Sequence, residues 1–182
     1  PVFFGSISKH QYLNNMLPHY SSIDWMNNNL PDTSKVLYVG YSAWFYLDRD
    51  YMPMANRSID YHNISSPSQF KEILDKNNIT HIYIEEYPGD EGSTLDKIKK
   101  DKFSSKELNL NSIIDCQKWL DVDPSSLGIE IISYYHFRPF ILMRGLELTN
   151  ELELLKTIKS KVVKSRTRGT FINVEDAVYV LK

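Results

Sequence analysis

Apolar positions change their spacing several times along the chain, and each change marks an element. In KHQYLNNML, Tyr12, Leu13, Met16 and Leu17 recur at helical spacing until Pro18 interrupts them. A second helical segment follows, with Ser21 or Ser22 as a ready cap, Ile23, Met26 and Leu30 on one face, and Pro31 as the stop. Val36, Leu37, Tyr38 and Val39 then form an unbroken apolar run closed by Gly40, the pattern of a strand buried on both faces of a parallel sheet. SSPSQFKEILDKNN carries the clearest helix signals: Ser66 as N-cap, Pro67 in the first helical position, Gln69 to complete a capping box, and Phe70, Ile73 and Leu74 as a buried stripe. THIYIEE at 80–86 reads as a second strand. Strand, helix and strand together predict a right-handed βαβ unit.

Further on, Thr94 is a candidate cap for a helix that buries Leu95 and Ile98, and another helix is expected over 105–120 with Leu108, Ile113, Ile114 and Leu120 inside. After DVDPSS the grammar shifts. Residues 129–148 read as two extended segments joined at Arg138 and Pro139, because proline suits a strand edge or a turn. ELELLKTIKSKV is amphipathic through Leu152, Leu155, Ile158 and Val162, and DAVYVLK closes the chain as a strand. The expected fold is therefore α/β, a three-layer sandwich with a mostly parallel, Rossmann-like sheet and an antiparallel C-terminal addition. Residues 1–20 are expected to be a lead-in helix and residues 21–182 a single α/β domain.

Composition narrows this only a little. A chain of 182 residues suits one domain and buries about 70% of its unfolded surface. The net charge of −2 names no partner, and no nucleic acid is expected. Aromatic residues reach 13%, with 12 tyrosines, a composition that favours interfaces, sugar-facing surfaces and membrane-proximal belts. Cys116 is the only cysteine, which excludes an intrachain disulfide, and its place in SIIDCQKWL is that of an inert core residue. No apolar run reaches the roughly 18 residues of a membrane helix. The start at Pro1, without Met, leads to the expectation of a piece of a longer polypeptide.

Little in the sequence announces chemistry. A strand followed by glycine opens many phosphate sites, but those need several glycines, and here YSAWFYLDRD follows Gly40 with rings that would crowd a pyrophosphate. No cofactor is expected. His10, His19, His62, His81 and His136 show no metal-ligand spacing, so no metal is expected either, and no serine lies in G-x-S-x-G. Glu85 and Glu86 follow a strand, where α/β folds open their ligand crevice, and with Asp90 and Glu91 they are candidates for a cation or for sugar hydroxyls. Lys156, Lys159, Lys161, Lys164, Arg166 and Arg168 form a run with no acid between Glu153 and Glu175. Of these, Lys161, Lys164, Arg166 and Arg168 are candidates for anionic lipid head groups, the alternative being a plain solvated face. Sequons stand at Asn56, Asn63 and Asn78, two of them in the apparent loop 52–66.

Residues 20–86 carry a specific arrangement. SSIDWMNNNLP, KVLYVG, WFYLDRD and FKEILDKNNITHIYIEE follow one another as helix, strand, aromatic turn, and helix plus strand. This resembles the soluble extracytoplasmic domain that follows the last transmembrane helix in polytopic membrane glycosyltransferases of the protein mannosyltransferase-like superfamily, the GT-C enzymes that use polyprenyl-phosphate sugars. Residues 87–182 match mainly in their closing strand. The resemblance implies a domain on the outer face of the cell membrane within a multi-pass protein. Its partners would be its own upstream transmembrane domain and, in addition, a polyprenyl-phosphate sugar or an acceptor glycan. In such enzymes the catalytic acid lies in the first outer loop, which this chain does not contain, so no catalytic residue is carried over and the domain alone is expected to be inactive. Only Tyr46, Leu47, Asp48 and Arg49 match the family's aromatic and Asp-Arg element. Tyr46, Asp48 and Arg49 are thus candidates to contact phosphate or sugar, the alternative being an Asp48 to Arg49 pair that pins the turn. Two other readings stand beside this one: a free-standing carbohydrate- or protein-binding module, and a soluble enzyme whose site carries no recognisable motif.

Overall fold

The computed structural model describes residues 7–40, 44–54, 59–85, 88–89, 92–93, 110–122, 131–165 and 170–182. The chain folds into two compact units. The first comprises Pro1–Met54, His81–Glu86 and Leu154–Tyr179, the second Ala55–Thr80, Tyr87–Glu153 and Val180–Lys182.

The first unit opens with helices α1 (Lys9–Met16) and α2 (Tyr20–Asn29). Ser8 caps α1 in a full capping box with Gln11. The N-cap of α2 is His19 in a left-handed conformation at φ 58°, and not Ser21 or Ser22, whose hydroxyls serve elsewhere. Strands β1 (Lys35–Val39), β2 (Asp50–Pro53), β3 (His81–Ile84), β6 (Leu152–Ser165) and β7 (Thr170–Leu181) form one mixed sheet in the order β2-β1-β3-β7-β6. β1 lies parallel to both β2 and β3, in register Val36 to Tyr51 and Val36 to His81. Only residues 166–169 separate β6 from β7, too few for a parallel crossover, so the C-terminal pair is antiparallel. Val36 to Val39 and His81 to Ile84 are all buried, as the two apolar runs require of strands covered on both faces. Ile23, Met26, Leu30, Val36, Tyr38, Leu47, Tyr83 and Val178 make one core cluster.

The second unit contains α3 (Pro67–Lys76), a small ladder of β4 (Pro88–Gly89) and β5 (Gly92–Ser93), and helices α4 (Ile113–Leu120) and α5 (Ile131–Leu148). α3 begins as its sequence dictates: Ser66 Oγ accepts the Gln69 N–H. The Gln69 side chain takes the Ser65 N–H instead of that of Ser66, so the return bond closes one residue early. α5 packs against α3 so closely at Gly145 that a Cβ there would overlap the Pro67 ring.

Three expectations fail here. Residues 131–148 are a single helix with Pro139 inside it, not two extended segments. An apolar stretch of that length exceeds an ordinary strand and suits a buried helix, and length outweighs the β-leaning Ile and Tyr content and the lone proline. In α4 the interior residues are Cys116 and Leu120, while Ile113 and Ile114 are exposed, because the buried face is set four residues apart from Cys116. The amphipathic segment at 151–162 belongs to strand β6, which buries Leu152 and leaves Leu155 exposed. The strand β2 within the supposed aromatic turn and loop went unpredicted. The proposed helix after Thr94 and the 105–109 part of the next helix lie outside the described residues, as do Leu108, Glu86, Asp90, Glu91, Arg166, Arg168 and Asn56.

Candidate functional site

In the order β2-β1-β3 the chain leaves β1 to one side for β2 and returns on the other side for β3. Connections that diverge in this way open a crevice at the carboxyl ends of the strands. Gly40 ends β1 there and Glu85 ends β3, with the Glu85 N–H donating to Val39 O at 2.9 Å. Glu85 is only 6% exposed. Tyr38 OH donates to its Oε1 at 2.5 Å. Burial, and then the Glu85 carboxylate, push the Tyr38 phenol far above its ordinary pKa, so it serves as a donor and not as a base. Gly40 has a definite steric role: a Cβ there would overlap the Glu85 carboxyl group. The glycine after this strand thus makes room for a carboxylate of the protein, not for a ligand phosphate.

The segment after β1 forms a second part of the site. Trp44–Tyr46 make a 3-10 turn closed by Leu47 N–H to Trp44 O at 3.0 Å. Leu47 enters the core, while Trp44 and Phe45 face outward. Asn27 of α2 braces the turn on both sides: Nδ2 donates to Tyr46 O at 2.9 Å, and Oδ1 accepts the Asp48 N–H at 2.8 Å. Arg49 spends its guanidinium on the end of α2. Its Nη2 donates to Asn27 O and Leu30 O at 2.8 and 2.9 Å, its Nε to Leu30 O at 3.2 Å, and Nη2 also pairs with Asp32 at 3.0 Å. A fork on the last carbonyls complements the helix dipole, so Arg49 caps α2. It reaches Asp48 only through the backbone carbonyl, at 3.2 Å. The expected side-chain pair of Asp48 with Arg49 does not form. Tyr46 is half-buried, edge-on to Tyr20 at 5.8 Å, and Asp48 is exposed.

A third polar group was not foreseen. Asp176 of β7, fully buried, accepts from Ser22 Oγ at 2.5 Å, Ser160 Oγ at 2.6 Å and Tyr83 OH at 3.0 Å, and its Oδ1 lies 2.8 Å from His19 Nδ1. Serine, histidine and aspartate meet here, yet the hydroxyls point to the carboxylate and not to the imidazole. A nucleophile needs the opposite arrangement and access to substrate. This network ties α2 to β3, β6 and β7. No sequence signal reveals it, since His19 and Asp176 lie 157 residues apart.

Of the remaining candidates, Lys161 and Lys164 lie in β6. Lys156 and Lys159 of the same strand are exposed. Asn63 and Asn78 are exposed as well. Among the described residues no cluster of His, Cys, Asp or Glu has the makings of a metal site, and no helix is long and apolar enough to cross a membrane. Cys116 is buried, and burial raises its thiol pKa. No known protein family, curated protein or solved structure matches this chain.

Proposed function

We propose that the chain is a non-catalytic extracytoplasmic domain of a polytopic membrane glycosyltransferase of the GT-C type, which positions the acceptor or the polyprenyl-phosphate sugar while the catalytic acid sits in the membrane-embedded part. The observation that carries this reading is the run of elements over residues 20–86. α2, β1, the aromatic turn, α3 and β3 follow one another along the chain, with strand β2 between the turn and α3, and this order is what supports the reading. In this reading the fold is a three-layer, Rossmann-like sandwich, supported by strands β1 and β3 that are buried on both faces. The outer membrane face is its location, the upstream transmembrane domain its partner, and Lys161, Lys164, Arg166 and Arg168 meet anionic head groups.

The test begins with the native gene product in its own membranes. The account expects detergent-dependent extraction and sugar transfer from a polyprenyl-phosphate donor, with dolichyl-phosphate-mannose as the probe, and loss of most transfer when residues 20–182 are removed. A product that fractionates with soluble proteins and transfers nothing would overturn the proposal in favour of a free-standing binding module.

A further inference from the structure

Helix α3 closes through its backbone alone. The Asn78 N–H donates to Asp75 O and the Ile79 N–H to Leu74 O, both at 2.9 Å, and Asn78 itself is left-handed at φ 55°. This pair of bonds is the Schellman closure of a helix, whose left-handed position favours glycine and next to it asparagine. Leu74 and Ile79 are buried on either side of the turn. Neither bond uses the Asn78 side chain. Asn77 beside it does spend its amide, donating to Ile73 O at 2.8 Å, whereas Asn78 is exposed and no described residue accepts from its Nδ2. Thr80 is exposed as well, so Asn78, Ile79 and Thr80 present a complete Asn-X-Thr sequon on a surface turn. Asn63 differs. Its Nδ2 donates to Asp60 Oδ2 at 2.7 Å, and Ser65, which completes that sequon, donates its hydroxyl to Gln69 Oε1 at 3.0 Å. Both polar side chains of the Asn63 sequon thus serve the approach to α3.

We infer that Asn78 is a site of N-linked glycosylation, filled by a membrane oligosaccharyltransferase that uses a polyprenyl-diphosphate oligosaccharide as donor. In that step the Asn78 amide nitrogen bonds to the anomeric carbon of the sugar. The bond from that carbon to the diphosphate breaks, polyprenyl diphosphate leaves with the electron pair, and one amide proton passes to a base of the transferase. The product is a neutral secondary amide. Both backbone bonds that close α3 survive the change, and a bulky, water-loving oligosaccharide leaves the protein from an exposed turn. At Asn63 the same group would have to fit around the contact with Asp60. The inference rests on the proposed outer-face location and adds to it a modification that the domain's own role in sugar transfer does not require.

The test is intact-glycopeptide mass spectrometry of the native gene product isolated from its own cells. Expected is a peptide spanning Asn78 that carries an oligosaccharide in most copies, with Asn63 occupied less. Asn78→Gly should abolish the modification and the gel shift that goes with it. That variant should still accumulate at the wild-type level, because glycine suits the left-handed position. Thr80→Ser should keep the oligosaccharide, and Thr80→Val should remove it while Asn78 stays in place, the signature of sequon recognition by an enzyme. A bare Asn78 peptide, modification confined to the other two sequons, or modification that survives Thr80→Val overturns the inference. If Asn78 is bare while the transfer assay succeeds, only this inference falls. If Asn78 is glycosylated in a product that is soluble and transfers nothing, the membrane-enzyme reading falls and the site stands.

Discussion

At Asp176, one buried carboxylate collects three hydroxyls and faces an imidazole. Such a group is held only while all its partners are present, since removing one leaves a desolvated polar atom without compensation. Asp176→Leu should therefore cost about 3 kcal/mol in urea unfolding, because the buried donors that converge on the carboxylate lose that acceptor. A loss under about 1 kcal/mol would mean that the network is not formed in solution. His81 gives a pH prediction. Burial lowers its pKa from 6.5, so below that value the unfolded chain binds a proton that the native chain resists. Its contribution to stability is complete above pH 6.5 and drains away as the pH falls below it. Urea midpoints between about pH 7 and about pH 5 should fall less steeply for His81→Asn than for the wild type, and equal slopes would contradict the assignment. At this scale the sequence revealed identities without partners. Gly40 stood out beside β1, but only the spatial neighbour Glu85 explains it. Arg49 was singled out for a ligand, and its Nε and Nη2 turned out to face the end of a helix that stops about 20 residues earlier.

Elements whose cause is local were legible; those decided by distant packing were not. α3 announces itself through Ser66, Pro67 and a stripe at Phe70 and Leu74, all within one helix. α5 conceals itself behind Pro139, because a helix tolerates proline where tertiary contacts make up for the lost backbone bond. Part of that support is Arg138, the residue before it, which is buried and donates to Leu120 O at 2.8 Å and Ile64 O at 2.6 Å. Leu120 is the last residue of α4, so the guanidinium also meets the negative end of a helix dipole. Arg138→Met should destabilise the second unit by about 3 kcal/mol, read as faster amide exchange in α4 and α5. Unchanged exchange would show that these bonds are dispensable. β6 was not recognised as a strand for another reason: it is the outer strand, and residues 153–157 are exposed on both faces, which breaks the usual alternation. Exposed edges are guarded against pairing with other chains, most often by lysine, and Lys156 and Lys159 hold that position here. Lys156→Val with Lys159→Val should turn a monodisperse solution into one that aggregates, as followed by light scattering. A double variant as soluble as the wild type would remove the guarding role.

For the molecule as a whole, the α/β class and the mixed sheet, parallel then antiparallel, could be read from two apolar runs and a closing strand. The division into two units could not, because each unit draws on separate stretches of chain that no composition shift delimits. Function follows the same division of labour. The proposed place in a membrane glycosyltransferase rests on the order of elements over 20–86, while the site geometry supplies a braced aromatic turn and a buried carboxylate at a strand end. A domain of that kind changes how well an acceptor or donor is held, not how fast the bond breaks. The deciding measurement is therefore steady-state transfer by the full membrane protein, with wild type compared against Phe45→Ala in the same membranes. The account predicts a KM raised about tenfold with kcat retained. A variant whose KM and kcat both match the wild type, or a membrane protein with no sugar transfer at all, would contradict it.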